Sequence, residues 1–298
     1  MTAIGPHGQQ PLGETASHQE PLRPRTADDW IRRHQAAGCF EAVGYIGLGE
    51  NYNHWLYRLR RRHFVRLASR HNLPAAARVL DIGTGTGFYI DLYRRLGVTD
   101  VWGIDISATA IERLRMTYPR YRFEVCDVAA GLPASIHPES GFDWVSAMDV
   151  LFHITEDDLF RAALANCARA VRPGGRLLIS DDFPARTLPA DANQSYHALR
   201  DYEDVLGPMG FRLLELSPVF FIANGQVGAG GIACRVLSGY WSLLSRVIGK
   251  SIRSWRPAGE ALGYSLGAML TGFDALLQSQ RLFRGFSTKV AVFQKADR

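Results

Sequence analysis

The stretch ARVLDIGTGTGFYID, Ala77–Asp91, concentrates the residues best placed to do chemistry: Gly83, Gly85 and Gly87 alternate with threonines, and Asp81 stands two places ahead of the first glycine. A glycine turn between a strand and a helix presents bare amides at the positive end of the helix and ordinarily receives phosphate. Asp81 would repel a pyrophosphate there. The GxGxG spacing also brings the third glycine one place earlier than the nicotinamide fingerprint requires. The pattern instead suits a ligand whose nearest group is cationic, a preference worth about several kcal/mol at the effective dielectric of a half-buried site.

Four further positions extend that reading. Asp105 closes the apolar run VWGID, where its carboxylate can accept from both hydroxyls of a ribose. Asp127 follows FEVC, placed to accept from an adenine amino group, with the Val128 amide donating to the ring and Ile106 offering it an apolar face. An ammonium, a ribose, an adenine and no phosphate describe S-adenosylmethionine. No cysteine or histidine cluster suggests a metal: Cys39, Cys126, Cys167 and Cys234 are scattered without a CxxC pair.

The elements that must position these residues follow from periodicity. Short apolar runs at Arg78–Ile82, Asp100–Asp105, Arg122–Cys126, Phe142–Met148 and Gly175–Ser180 read as strands, with helices over Tyr89–Leu96, Ala108–Tyr118 and Thr155–Val171 between them. Pro173-Gly174-Gly175 reads as a tight turn feeding the fifth strand. A helix near Tyr196–Gly207, a strand in GFRLLELSPVFF and a last strand in TKVAVFQK complete the core. Alternating strands and crossovers imply an α/β, Rossmann-like, doubly wound and mostly parallel sheet.

These motifs, with FDWVSAMDVLFHI on the fourth strand and VRPGGRLLISDDF on the fifth, resemble the class I S-adenosylmethionine-dependent methyltransferases over about Arg78–Phe221 and again at Val290–Lys295. The resemblance implies an antiparallel last strand and the cofactor S-adenosyl-L-methionine, with S-adenosyl-L-homocysteine as product. It sets His153, just past the fourth strand, beside the sulfonium, where an imidazole can take a proton from a phenol, enol or carboxylic acid or simply shape the pocket. Asp149 is the second catalytic candidate, as a hydrogen-bond partner for the methionyl ammonium or an acceptor amine. Asp181 and Asp182 reach the same sheet edge. In related enzymes a helix ahead of the core lends a tyrosine to the cofactor carboxylate; among Tyr45, Tyr52 and Tyr57, Tyr52 is favoured here, with helix packing as the competing role. The Asn-Pro-Pro-Tyr type of amine-methylating signature is unmatched, which argues against nucleic-acid bases as acceptors.

The 298 residues, 47% hydrophobic and 21% charged with a formal net charge of +5, suit a soluble globular chain. The division expected is a disordered tail over 1–25, a helical cap over 26–75, the cofactor-binding core over 76–221, a helical insert over 222–287 and the last core strand over 288–298. No secretory signal or transmembrane run is read, so the expected setting is cytoplasmic. Arg58, Arg60, Arg61, Arg62 and Arg66 are expected to scatter over an exposed helix face, which gives no ground for a nucleic-acid partner. Leu237, Tyr240, Trp241, Leu244 and Val247, then Leu262, Leu266, Leu270, Phe273 and Leu277, form two apolar stripes in the insert. They can pack on each other, roof an apolar acceptor or join a second subunit. The function expected is O-methylation of a small, largely apolar acceptor in secondary or lipid-like metabolism. C-methylation of a prenyl or polyketide-like compound is the alternative, and a nucleic-acid methyltransferase or a non-catalytic module that binds the cofactor or a membrane are remoter ones.

Overall fold

The computed structural model describes residues 44–45, 47–136, 141–190, 194–225, 232–280 and 287–297. The expected tail and residues 26–43 of the expected helical cap lie outside the described residues. Seven strands form one sheet in the order β3-β2-β1-β4-β5-β7-β6. They are β1 (Arg78–Ile82), β2 (Asp100–Asp105), β3 (Arg122–Val125), β4 (Phe142–Met148), β5 (Val171–Asp181), β6 (Phe211–Pro218) and β7 (Lys289–Lys295). The first five are parallel, and β7 inserts antiparallel between β5 and β6.

The strands near the centre are buried on both faces, so they read as continuous apolar runs, as parallel strands covered by helices do. Val79 and Asp81 point to one face, Leu80 and Ile82 to the other. The first face is covered by α1 (Gly49–Arg70), α2 (Phe88–Arg95) and α3 (Ala108–Thr117), the second by α4 (Asp157–Ala170) and α5 (Leu199–Leu206). One boundary departs from expectation. β5 begins at Val171, and residues between the pairs Phe142↔Val171 and Trp144↔Arg176 loop out of the ladder. The Pro-Gly-Gly run is therefore a bulge inside the strand, with Gly174 at φ +72°.

The insert forms a helix hairpin, α6 (Ile232–Ser254) and α7 (Arg256–Gln280), that packs against α1. Gly259, Gly263 and Gly267 recur every fourth residue of α7, so they share a face. A Cβ on Gly259 would lie 2.4 Å from the Ile252 amide nitrogen, and one on Gly267 would lie 3.0 Å from Trp55. This row of glycines lets α7 lie close to α6 at one end and to α1 along its length.

Two acids of α7 fasten the hairpin to the core. Leu48, the residue before α1, offers no side-chain cap, and Glu260 supplies the function from across the interface: it accepts from the Glu50 and Asn51 amides at 3.1 and 2.9 Å. Asp274, fully buried, accepts from the amides of Phe221, Ile222 and Ala223 at 3.0, 2.9 and 3.0 Å. These two contacts tie together chain segments far apart in sequence. Asp274→Ala leaves three amides without their acceptor, and each buried orphan costs about 1–3 kcal/mol. The expected result is a fall in melting temperature of several degrees or more, read by circular dichroism, with Asp274→Asn falling less because it keeps one acceptor oxygen.

Candidate active site

The glycine turn sits at the carboxyl edge of β1. All three glycines have positive φ (+70°, +50° and +84°), a conformation costly for other residues. Space is as restrictive as conformation. A Cβ on Gly83 would lie 2.3 Å from Val150 and one on Gly87 2.5 Å from Leu114. The Gly83 and Thr84 amides are committed to Ile104 O at 2.8 and 3.0 Å, which locks the turn to the end of β2.

Asp81 lies directly beneath. Parallel pairing sets Asp81 opposite Ser146 of β4 on the same face. Ser146 Oγ donates to Asp81 Oδ1 at 2.6 Å and accepts from the Tyr93 hydroxyl of α2 at 2.8 Å. The second oxygen, Oδ2, is buried with no hydrogen-bond partner, and so is the neighbouring Thr84 hydroxyl. Burial pushes the Asp81 carboxyl up to about 7; the Ser146 bond opposes the rise, and the nearby Asp105 carboxylate adds to it.

Asp105 is 6% exposed and accepts from the Gly85 amide through Oδ2 and from the Ser107 amide through Oδ1, each at 2.8 Å. One carboxylate thus fixes the turn after β1 and the start of α3, whose N-cap is Ser107. Ile106 beside it is half-buried. Asp127 lies in the exposed loop past β3 and accepts from the Ala129 amide at 2.9 Å. Val128 is buried and its carbonyl takes the Asn166 amide at 2.8 Å.

Past β4 the backbone is strained. Asp149 has φ +61°, and Phe183, past β5, has φ +41°, both sparsely populated for side chains of this kind. Asp149 is clamped by Arg60 of α1 and by the Ser180 hydroxyl, which donates to its Oδ1 at 2.6 Å and accepts from its amide at 2.7 Å. Burial works against the Arg60 charge, yet Asp149 outweighs it and holds the guanidinium firmly protonated. Arg60 also covers the Phe220 ring at 5.1 Å. His153 ends a short 3-10 turn, Leu151–His153, half-buried, with its ring centroid 4.3 Å from that of Phe152. Asp181 faces the opposite side of the sheet, where Tyr202 of α5 donates to it; burial and the adjacent Asp182 push its carboxyl up to about 8.

Three expectations change. Asp149 is not open to an amine, because Arg60 already neutralises it. Arg60 is not on an exposed face; it follows Leu56 and precedes Phe64 at four-residue steps, so it lies on the buried stripe of α1, and that spacing was the available signal. The Tyr52 hydroxyl is already committed: the ring is fully buried against Trp241 of α6, and the hydroxyl donates to Ala223 O at 2.9 Å. Asp81, Asp105 and the three glycines are brought together as expected, with Tyr93 and Ser146 added to them.

Comparison with known proteins bears on the same residues. A family model described as a methyltransferase domain matches residues 79–175. The ubiquinone biosynthesis O-methyltransferase of Rhodopseudomonas palustris (strain BisB18) is 33% identical over 119 residues, 40% of this chain and 45% of that protein. An O-methyltransferase of Pyrenophora dematioidea is 29% identical over 192 residues, 59% of this chain and 69% of that one. Among solved structures, magnesium protoporphyrin IX methyltransferase from Synechocystis PCC 6803 with bound S-adenosylhomocysteine has a TM-score of 0.49 at 14% identity, covering 90% of this chain and 94% of that one. The chain spans 45% of the length of the ubiquinone-pathway relative. Residues 79–175 thus carry a methyltransferase domain, whose family cofactor is S-adenosylmethionine.

The residues present fit that cofactor. The unpartnered oxygen of Asp81 offers an ammonium a buried anionic acceptor, and side chains larger than glycine are excluded from the turn above it. A protonated Asp81 loses that attraction, so affinity is expected to fall as pH drops through about 7. Titration calorimetry is expected to show S-adenosylmethionine binding about tenfold weaker at about pH 6 than at about pH 7.5. Asp81→Asn is expected to bind more weakly throughout and to lose this dependence.

Proposed function

We propose that this protein transfers a methyl group from S-adenosylmethionine to oxygen on a small, largely apolar acceptor. The observation that carries the reading is the buried, unpartnered carboxylate oxygen of Asp81 beneath a glycine turn tied to Asp105. When bound, the cofactor supplies a methyl group on a sulfonium. Asp81 would hold the ammonium, Asp105 the ribose hydroxyls, and Asp127, Val128 and Ile106 the adenine. His153 would remove the proton from the acceptor hydroxyl as the oxygen attacks the methyl in line, the sulfur leaving as a neutral thioether.

Apolarity of the acceptor is supported by its surroundings. α1 and the segment after β6 set the Tyr57 and Phe220 rings against the Arg60 guanidinium, whose pairing with Asp149 adds no net charge. The two relatives named as O-methyltransferases favour oxygen over carbon. In this reading α1 and the α6–α7 hairpin roof the acceptor, while 76–221 and the last strand hold the cofactor.

Arg60 and His153 then have separable effects. With an apolar phenol as acceptor and mass-spectrometric product detection, His153→Ala is expected to lower turnover on the order of a hundredfold while sparing cofactor affinity. Arg60→Met leaves Asp149 unpaired and is expected to destabilise the fold by about 3–5 kcal/mol. Unchanged turnover in His153→Ala would reduce that residue to packing, and methylation only at carbon would replace the oxygen reading.

A further inference from the structure

We propose that the outward face of the α6–α7 hairpin docks on an anionic lipid bilayer. The two apolar stripes expected in the insert do not both turn inward as whole units. Leu244, Ile248 and Leu270 are buried, but Val247 and Phe273 are 44% and 54% exposed. Outside them lies a second apolar surface: Val236 and Leu243 on α6 are 63% and 61% exposed, and Met269 and Leu276 on α7 are 51% and 58% exposed. Trp255, at the tip between the helices, is 67% exposed.

Charge selects the partner. α6 contains no Asp or Glu. At about 100° per residue its exposed side chains fall within one arc of roughly 140°. Arg235, Arg246 and Arg253 run down one side of that arc, Val236, Leu243 and Val247 down the other, and Lys250 lies between them, all exposed. On α7 the two acids are turned away, Glu260 onto the first turn of α1 and Asp274 onto residues 221–223. The exposed positions of α7 between Pro257 and Leu276 carry no charge.

A second copy of the chain would set this cationic arc against itself with no acid on the face to answer it. Nucleic acid would use the arginines and leave the apolar strip in water. A bilayer with anionic headgroups satisfies both halves: apolar side chains and a tryptophan enter the headgroup boundary while flanking cations meet lipid phosphate. Among the described residues no helix is long and apolar enough to cross a membrane, so the contact is one of lying on the surface. It would set the roof of the site against the phase that holds apolar compounds, but it does not rest on the methyl-transfer reading.

The test is cosedimentation of the full chain with vesicles of phosphatidylcholine containing about one-third phosphatidylglycerol, against phosphatidylcholine alone. Binding is expected to be at least tenfold tighter to the anionic vesicles and to weaken in about 0.5 M salt. Arg246→Glu with Lys250→Glu and Arg253→Glu is expected to lose tenfold or more. Leu243→Ser with Val247→Ser is expected to lose several-fold, and both variants are expected to keep the wild-type melting temperature and cofactor affinity. Failure to bind either vesicle, or anionic binding indifferent to the charge reversal, would overturn the proposal. So would a dimer that Leu243→Ser with Val247→Ser dissolves, seen without vesicle binding; the face would then be a subunit contact.

Discussion

A carboxylate oxygen shut away from water without a partner is the constraint around which this molecule is arranged. The Asp81 side chain is 1% exposed, and only one of its two oxygens is satisfied. An unpaired buried acceptor costs free energy, and the cost rises steeply once the group is charged. Burial therefore holds Asp81 near half-protonation at neutral pH, and the turn above it is closed by Val150 and Leu114 to anything larger than glycine. The strand pairing that places Ser146 opposite Asp81, and the helix that places Tyr93 over Ser146, satisfy one oxygen and leave the other for a cationic donor.

The same logic operates in the roof. Glu260 and Asp274 sit on a helix whose outer surface is apolar, and both turn inward to collect backbone amides that α1 and the segment after β6 cannot satisfy themselves. Arg60 does the converse from α1, bringing a cation to Asp149 where the chain leaves β4 in a strained conformation. Core and roof share one apolar cluster that runs from α1 and the hairpin to the strands, and these charged side chains, meeting backbone dipoles or one another, fix how its parts sit, with a glycine row that allows the helices to approach.

Much of this was readable from the chain. Asp81, Asp105 and the GxGxG turn belong to one continuous pattern of strand, turn and helix, so local spacing suffices to predict their proximity; the mostly parallel sheet follows from alternating periods, and its antiparallel β7 only from the family resemblance. What was not legible depends on contacts between distant segments. Asp274 looks like any surface acid of an amphipathic helix until residues 221–223 are folded against it. Tyr52 was assigned from resemblance, whereas the hydroxyl's partner, Ala223 O, is 171 positions away in sequence. Arg60 is masked by its neighbours: it stands within a run of arginines, and only its four-residue spacing from Leu56 and Phe64 marks it as part of the buried stripe. The bulge at Pro173-Gly174-Gly175 was read as a turn because a register shift in β5 leaves no local mark distinct from one.

The most direct measurement is the titration of the Asp81 carboxyl itself, followed by carbon NMR in protein labelled at aspartate and assigned with Asp81→Asn. Without ligand the carboxyl is expected to titrate near 7, as its burial dictates. With saturating S-adenosylmethionine its pKa is expected to fall by one unit or more, as an ammonium beside the free oxygen favours the ionised form. An Asp81 that titrates in the ordinary carboxylate range, or whose titration the cofactor leaves unmoved, would contradict the account.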